Sequence, residues 1–223
     1  MPQARELVIA IDGPSGAGKS STARGVATRL GLDYLDTGAM YRAMSWACMV
    51  DEVDMTSPDA MLERARGAEL LMGLDPADPR VTVDGHDITA AIREPAIADH
   101  VSAVARVIPI RELLTGQMRD IIAASGRIVA EGRDVTTVVW PTAQLRLLMV
   151  ADPVERIARR EAELAGAAGH ERVVSSIVDR DRKDSTVSQF ETPAEGVTLL
   201  DTTHLDLDEV IGTVLSMVAG PLG

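Results

Sequence analysis

The chain has 223 residues, enough for one substantial domain, and its 46% content of apolar residues permits a packed core. The formal net charge of −12 disfavours broad electrostatic contact with nucleic acid or an anionic membrane, so local Arg and Lys side chains must hold any anionic ligand. A single cysteine, Cys48, excludes an internal disulfide, and the four histidines lack the spacing of metal ligands.

The sequence begins M-P-Q-A-R-E-L-V-I-A, which lacks the apolar stretch of a signal peptide. No window holds eighteen consecutive apolar residues, the length typical of a membrane-spanning helix. We therefore expect a cytoplasmic protein with no membrane or nucleic-acid partner. The sequence does not determine the oligomeric state, and a monomer is our expectation.

Strand-like apolar runs alternate with helical patterns along the chain. The predicted strands are 7–12, 33–36, 127–131, 145–150 and 197–201, and the predicted helices are 19–30, 38–50, 57–72, 95–107 and 109–125. Continuous apolar runs separated by helices are typical of parallel strands buried on both faces. The pattern predicts an α/β fold with a doubly wound five-stranded parallel sheet and a ligand at the carboxyl ends of its strands.

Two further segments interrupt this alternation. Residues 80–89 alternate around a D-G turn like a small hairpin, which predicts an inserted subdomain. Residues 153–184 form an arginine-rich helical pair joined by G-A-A-G-H, which we interpret as a flap beside the sheet. Arg156, Arg159 and Arg160 in this segment either approach a nucleotide or lie on a helix surface.

The string G-P-S-G-A-G-K-S at 13–20 follows the first strand and opens the first helix, as in the P-loop of nucleoside triphosphate-binding proteins. Backbone N–H groups and the helix dipole favour a polyphosphate there, while Lys19 reaches the terminal phosphates and the Ser20 hydroxyl binds Mg²⁺. An ordinary glycine-rich turn would not need all four fixed positions. The predicted ATP-binding residues are Gly13, Pro14, Ser15, Gly16, Ala17, Gly18, Lys19, Ser20 and Ser21.

A P-loop alone does not separate motors, switches and small-molecule kinases. The N-K-x-D string of switch GTPases and the apolar strand ending in D-E of large motor ATPases are absent. Three other strings carry Arg and Asp: L-D-T-G-A-M-Y-R (35–42), A-E-G-R-D-V-T-T-V-V (130–139) and D-R-D-R-K-D-S-T (179–186). Alone, they fit a capped helix, a simple turn and a solvated charged helix. Together with the P-loop, they favour a kinase with two phosphate-bearing substrates.

These strings, with D-G-x-D-I-T in the insert, Ser102 nine residues before Arg111, and G-R-D-x-x-T-V-V-x-P at 132–141, resemble bacterial cytidylate kinases over nearly the whole chain. The resemblance implies phosphoryl transfer from Mg·ATP to CMP or dCMP in a nucleoside monophosphate kinase fold. It also implies three regions: a core (1–36, 93–152 and 185–223), an NMP-binding region with a small β insert (37–92) and a helical lid (153–184).

The resemblance assigns roles to positions that match the family motifs. Arg42 and Arg133 would bind the CMP phosphate, Ser102, Arg111 and Asp134 would read cytosine, and Arg180 with Asp184 would bind the ribose. Thr37 and Tyr41, in the same string as Arg42, complete the substrate-binding set. The implied catalytic residues are Lys19, Arg133, Arg180 and Arg182.

The chemistry of the substrates agrees with this set. A carboxylate can accept from the cytosine amino group, whereas uracil would set an oxygen against it. The acceptor phosphate is largely dianionic at pH 7, because its second pKa is about 6, so no general base is needed. A carboxylate alone could also read guanine or adenine. Base identity therefore depends chiefly on the resemblance.

Two positions depart from the family pattern. Val187 stands where many relatives have a phosphate-contacting Arg, a role that Arg182 could take, and Thr136 stands at a usual glycine, which could alter the loop behind the base pocket. Two rival functions also stay open. One is a P-loop kinase for another small acceptor such as UMP or shikimate, and the other is an ATP-binding module that transfers no phosphate.

Overall fold

The computed structural model describes residues 6–163 and 192–220. The strands are β1 (Leu7–Asp12), β2 (Asp33–Asp36), β3 (Leu70–Met72), β4 (Val81–Val83), β5 (His86–Asp87), β6 (Arg127–Gly132), β7 (Leu145–Val150) and β8 (Thr198–Asp201). The α-helices are α1 (Lys19–Leu30), α2 (Thr37–Val50), α3 (Pro58–Gly67), α4 (Pro95–Ala105), α5 (Ile108–Ser125), α6 (Pro153–Glu163) and α7 (Leu207–Ala219). A short 3₁₀ helix covers Ala91–Arg93, and a short π-helix covers Val135–Val139.

The central sheet has five parallel strands in the order β2-β6-β1-β7-β8. The predicted strands and the predicted parallel sheet are confirmed, with strand ends shifted by at most one residue. Because β1 and β6 lie inside the sheet and are covered on both faces, β1 is continuously apolar up to Asp12, and β6 is apolar from Ile128 to Ala130. All five strands end toward the same edge, where the functional strings begin.

Side-chain alternation along β1 divides the core into two layers. Val8 and Ala10 belong to the layer that contains buried residues of α2 and α5, while Ile9 and Ile11 belong to the layer that contains residues of α1 and α7. The helices therefore cover both faces, as a doubly wound sheet requires. Aliphatic side chains and methionines, including Met40 of α2, make up most of this core, in agreement with the low aromatic content of the chain.

A second sheet of three antiparallel strands, in the order β3-β4-β5, forms the predicted insert. The turn between β4 and β5 uses Asp84 and Gly85, both at positive φ, as the D-G signal predicts. The predicted helix over 57–72 is wrong at its end, because α3 stops at Gly67 and residues 70–72 pair with β4. The run L-L-M is apolar at every position, so its sequence does not distinguish helix from strand.

The predicted helices at 19–30, 38–50, 95–107 and 109–125 agree with α1, α2, α4 and α5 within two residues at their ends, whereas α7 was not predicted. Within the described part of the predicted flap, residues 153–163 form α6, and the rest of that prediction lies outside the described residues. Within the described ranges, no helix combines the length and the apolar character needed to cross a membrane.

Candidate active site

A cleft of about 710 Å³ lies at the carboxyl ends of β1, β2 and β6. It is bordered by the P-loop on one side and by α2, α4 and the insert on the other. Most of the predicted site residues line it: Ser15, Gly16, Gly18, Lys19, Ser20, Ser21, Thr37, Tyr41, Arg42, Arg111, Arg133 and Asp134. The sheet edge thus brings together strings that are up to 120 residues apart in sequence.

Four predicted residues do not line the cleft. Gly13, Pro14 and Ala17 belong to the P-loop but are not part of the cleft lining, and Ser102 is buried in α4, beside the cleft-lining Val101. Arg180, Arg182 and Asp184, together with the family departure at Val187, lie outside the described residues.

The P-loop is packed closely against the sheet. A Cβ atom on Gly13 would lie 2.1 Å from the carbonyl oxygen of Met149 in β7, so only glycine fits there. Gly18, at φ 88°, caps α1 in the left-handed region that favours glycine. These glycines allow the loop to reach the first turn of α1, where unpaired backbone N–H groups bind anions.

Lys19 lies at the bottom of the P-loop, where its Nζ atom donates a hydrogen bond to the carbonyl oxygen of Pro14 at 3.0 Å. Burial, together with the neighbouring positive charge of Arg133, lowers the pKa of Lys19 to about 8. Glu131, Asp12 and Asp36 oppose that shift. The ammonium group is therefore held in a water-poor place where a polyphosphate would stabilise its charge.

Glu131 is a central member of the site that sequence reasoning missed. Its side chain lies at the end of β6, and Oε1 accepts hydrogen bonds from Ser20 Oγ at 2.5 Å and from the Tyr34 hydroxyl at 3.2 Å. Burial and the nearby carboxylate of Asp36 raise the pKa of Glu131, although Lys19 opposes this. A buried acid thus connects the P-loop helix with the sheet.

Asp36 lines the cleft beside two arginines. One carboxylate oxygen caps α2 by accepting from Ala39 N at 2.8 Å, and the other accepts from Arg42 Nη2 at 2.7 Å. Arg93, which the sequence analysis did not select, approaches the same oxygen at 3.8 Å. Burial raises the pKa of Asp36, but Arg42 and Arg93 outweigh it, and the pKa is lowered.

Arg42 lines the cleft, and one of its N–H groups is unsatisfied within the described part of the chain. Its Nε atom is buried and has no hydrogen-bond partner within residues 6–163 and 192–220. A buried guanidinium N–H without a partner costs free energy, which an oxygen of a bound anion would recover.

The turn after β6 presents Arg133 and Asp134. Gly132 is required at this turn because a Cβ atom would lie 2.2 Å from the Thr37 hydroxyl oxygen. Arg133 Nη1 donates to the carbonyl oxygen of Gly13 at 3.0 Å, so this arginine touches the P-loop. Asp134 forms an ion pair with Arg111.

Tyr41 completes this side of the pocket. The guanidinium carbon of Arg111 lies 5.8 Å from the centre of the Tyr41 ring, within the range of a cation–π contact. Burial is the main cause that raises the pKa of Tyr41, to about 12, so the hydroxyl is neutral at physiological pH. Arg111 is thereby held between an aromatic ring and the carboxylate of Asp134.

The arginines of α6 face the P-loop. Arg156 Nη1 donates to the carbonyl oxygen of Ser15 at 3.0 Å, and Arg159 Nη2 donates to that of Thr202 at 2.6 Å. The Thr202 hydroxyl in turn donates to the carbonyl oxygen of Ala17 at 3.2 Å. Arg160 lines the cleft. The sequence left open whether these arginines approach a nucleotide or lie on a helix surface. Their contacts place them beside the P-loop, which favours the first alternative.

A family model described as cytidylate kinase matches residues 9–220. A cytidylate kinase of Cutibacterium acnes is 55% identical to this chain over 95% of the chain and 96% of the relative. The chain belongs to the cytidylate kinase family. Cytidylate kinases of Rhodococcus opacus and Streptomyces griseus subsp. griseus are 43% and 42% identical, each over 96% of the chain and over 95% and 93% of their own lengths.

One solved structure, of an uncharacterized protein from Eubacterium ventriosum, superimposes on the chain with a TM-score of 0.55 over 96% of this chain and 99% of that one. At 8% identity it supports the fold alone. The predicted family and the predicted P-loop fold are confirmed.

In this cytidylate kinase family member, basic and acidic side chains line the same cleft. Lys19 lines it from the P-loop, and Arg42 and Arg93 line it beside the carboxylate of Asp36. No group of three or more His, Cys, Asp or Glu side chains in the described part of the chain forms a cage for a metal ion.

Proposed function

We propose that this protein transfers the terminal phosphoryl group of ATP to CMP or dCMP and so forms CDP or dCDP. One observation carries the proposal. The P-loop and the predicted acceptor residues share a single cleft, and Arg133 of the acceptor string donates directly to the P-loop carbonyl of Gly13. Donor and acceptor phosphates bound at these two places would meet near Lys19, as in-line transfer requires.

For this transfer, the protein has to place the two phosphates in line and to neutralise their charge. An oxygen of the acceptor phosphate forms a bond to the γ-phosphorus of ATP while the bond from that phosphorus to the bridging oxygen breaks and ADP leaves. The acceptor is largely a dianion at pH 7, because its second pKa is about 6, so no side chain has to remove a proton. Lys19 and Arg133 would balance the charge that spreads over the transferred group.

Binding of the acceptor phosphate is assigned to Arg42 and Arg133. Arg42 has a buried N–H group with no partner within residues 6–163 and 192–220, which a phosphate oxygen would satisfy. Arg93 lies beside the same carboxylate as Arg42 and lines the cleft, so it joins this proposed set.

Recognition of the base is assigned to Asp134 and Arg111, with Ser102 behind them. The carboxylate would accept from the cytosine amino group, and the guanidinium would donate to N3 and O2. The donor and the acceptors of cytosine would then all have partners. The wrong base would leave a buried polar group unpaired, at a cost of roughly 1–3 kcal/mol per group.

We propose Mg²⁺ as the metal that accompanies ATP, with Ser20 as its protein ligand. When bound, the ion would neutralise phosphate charge. The residues present fit this assignment: the Ser20 hydroxyl donates its proton to Glu131, so its oxygen can still face a cation. Glu131 would hold the hydroxyl in this orientation.

The domain boundaries are also proposals. Residues 37–92 would form the NMP-binding region, residues 153–184 the lid, and the remaining segments the core. Arg180, Arg182 and Asp184 would act from the lid, with Arg182 taking the place of the family Arg at Val187. We propose a monomer whose partners are ATP and CMP or dCMP, with no membrane or nucleic-acid partner, in the cytoplasm.

The test is ADP formation from Mg·ATP with CMP, dCMP, UMP, AMP, GMP and shikimate offered separately, beside a reaction without acceptor and one with the Lys19→Ala variant. ADP that appears only with CMP and dCMP supports the proposal. ADP with UMP or shikimate would replace it by the kinase for another acceptor. ATP binding without ADP release under any condition would replace it by the binding module.

A further inference from the structure

The loop that presents Arg133 and Asp134 is fastened to the end of β1 by one carboxylate. Asp12 is the last residue of β1 and lies in register with Gly132, the last residue of β6. Its Oδ1 atom accepts from Val135 N at 2.8 Å, and its Oδ2 atom accepts from Thr136 N at 2.8 Å and from Thr136 Oγ1 at 2.5 Å.

This contact is shielded from water. The exposed fractions of Asp12 and Thr136 are 3% and 2%, and Val135 is fully buried. A hydrogen bond to a charged acceptor in such surroundings is stronger than the same bond at the surface. Losing one donor would leave a buried carboxylate underpaired, a cost that is reduced when the loop moves or Asp12 takes up a proton.

Residues 133–136, here called the acceptor loop, are thus held at both ends. Arg133 donates to Gly13, the residue after Asp12, while Val135 and Thr136 donate to Asp12 itself. Asp134 lies between these contacts and pairs with Arg111. The position of the acceptor loop relative to β1 therefore sets where the arginine and the carboxylate stand in the cleft.

We propose that Asp12 and Thr136 are positioning residues for the acceptor substrate, and that the Thr136 hydroxyl fixes the acceptor loop in its binding-competent place. The proposal rests on the proposed function, because it names what holds the base- and phosphate-binding residues of that site. Thr136 touches neither substrate and acts through Arg133 and Asp134.

The threonine is the informative residue. In the motif that this chain resembles, the position holds glycine, which would supply the backbone N–H of this anchor but no hydroxyl. The substitution was expected to alter the loop behind the base pocket, and the structure gives it a specific contact instead. Asp12 in this chain therefore accepts one more hydrogen bond, from the Thr136 hydroxyl, than it could accept from a glycine at position 136.

The variants that isolate the hydroxyl are Thr136→Val, which keeps the shape, and Thr136→Ser, which keeps the donor. If a loosened loop is competent for only a fraction of the time, acceptor affinity falls by that fraction while ATP affinity does not. We expect Thr136→Val to raise KM for CMP about tenfold, the effect of losing a hydrogen bond to a charged acceptor. KM for ATP should stay within about twofold, and Thr136→Ser should restore KM for CMP.

Three results would overturn the proposal: a KM for CMP within about twofold of the unmodified protein in Thr136→Val, an equal rise in KM for ATP, or a Thr136→Ser variant that behaves like Thr136→Val. Thr136→Gly removes the hydroxyl without adding a buried methyl group, and it should show the same rise if Thr136→Val does not fold. CMP phosphorylation by the unmodified protein separates the proposed function from the proposed anchor between Asp12 and Thr136. Its failure to phosphorylate CMP would contradict the proposed function, whereas normal turnover with unaffected variants would contradict the anchor.

Discussion

Ser20 Oγ donates a hydrogen bond to Glu131 Oε1 over 2.5 Å, which joins the first turn of α1 to the end of β6. The two residues are 111 positions apart in the sequence, and the parallel pairing of β1 with β6 brings them together. A hydroxyl that gives its proton to a carboxylate keeps its lone pairs for a cation. The geometry thus links the proposed metal ligand to a buried acid.

The first prediction concerns this pair. Glu131→Gln removes the charge that orients the Ser20 hydroxyl, so the Mg²⁺ concentration for half-maximal activity should rise by about tenfold, as expected for loss of a charge-assisted hydrogen bond. Tyr34→Phe is the matched control, because it removes the other hydrogen bond to the same oxygen and leaves the carboxylate charged. Titration of activity with Mg²⁺ measures both variants. Equal Mg²⁺ dependence in Glu131→Gln and the unmodified protein would contradict the role.

The second prediction concerns the pH dependence of ATP binding. Lys19 has a pKa of about 8 in the free protein, and bound phosphates would raise it, so binding takes up a proton above pH 8. ATP itself gains none there, since its phosphates are already ionised. The affinity for ATP should therefore fall about tenfold between pH 7 and pH 9, because the protonated fraction of Lys19 falls about tenfold for each pH unit above its pKa. Calorimetric titration measures this, and Lys19→Arg should lose the dependence because arginine stays charged.

The same pKa predicts how stability varies with pH. The folded protein binds Lys19's proton less tightly than the unfolded chain, whose pKa is near 10.5. Between about 8 and 10.5 the unfolded state holds more protons, so the contribution of Lys19 to the free energy of unfolding should rise with pH. Lys19→Met removes this contribution. Identical stability profiles for Lys19→Met and the unmodified protein in that window would show that the lysine is not desolvated.

The third prediction concerns the pair of Asp36 and Arg42. Arg42→Ala leaves a buried carboxylate without its closest partner, so the free energy of unfolding at pH 7 should fall by about 3 kcal/mol, as when one member of a buried ion pair is removed. Asp36 has a lowered pKa, so this stabilisation is present above its ordinary value of 3.8 and is lost as pH falls through the folded value. Denaturant unfolding at pH 7 and pH 3 measures the difference.

The double variant Asp36→Asn with Arg42→Ala separates the structural and binding roles of Arg42. Without the buried charge, most of the lost stability should return, whereas CMP affinity should stay weak because the guanidinium is still missing. A double variant that regains both stability and CMP affinity would show that Arg42 holds Asp36 and does not bind the acceptor.

The fourth prediction concerns base selectivity. Asp134→Asn replaces an acceptor by an amide that can also donate, so the preference for CMP over UMP in kcat/KM should fall by about tenfold or more while KM for ATP changes little. The two kcat/KM values, measured on one preparation, give the ratio directly. An equal loss for CMP and UMP would remove Asp134 from base recognition.

The sequence predicts those features that depend on local pattern. The apolar run at 7–12 and the glycine-rich string after it locate β1 and the P-loop, because a strand that ends in such a turn leaves few alternatives. Residues 70–72 were misassigned to a helix because their state depends on pairing with β4, which no local pattern reveals. The strand ends were accurate because charged and glycine residues stop each buried run.

Sequence motifs select most of the residues that line the cleft, whereas Glu131 and Asp12 are brought to it by the topology of the sheet. Glu131 and Asp12 both end buried apolar runs, and a charged residue in that place was the available signal. Their partners, Ser20 and Thr136, lie more than a hundred residues away and meet them only through the sheet register. Such contacts cannot be read without knowing which strands are neighbours.

The most direct test of the central claim is a product balance for Mg·ATP and CMP by ³¹P NMR, in which ADP, CDP and inorganic phosphate are counted together. Direct transfer within the cleft predicts one CDP for each ADP, with no inorganic phosphate above the level of a protein-free control. ADP accompanied by inorganic phosphate and no CDP would contradict the account, because the acceptor side of the cleft would then not receive the phosphoryl group.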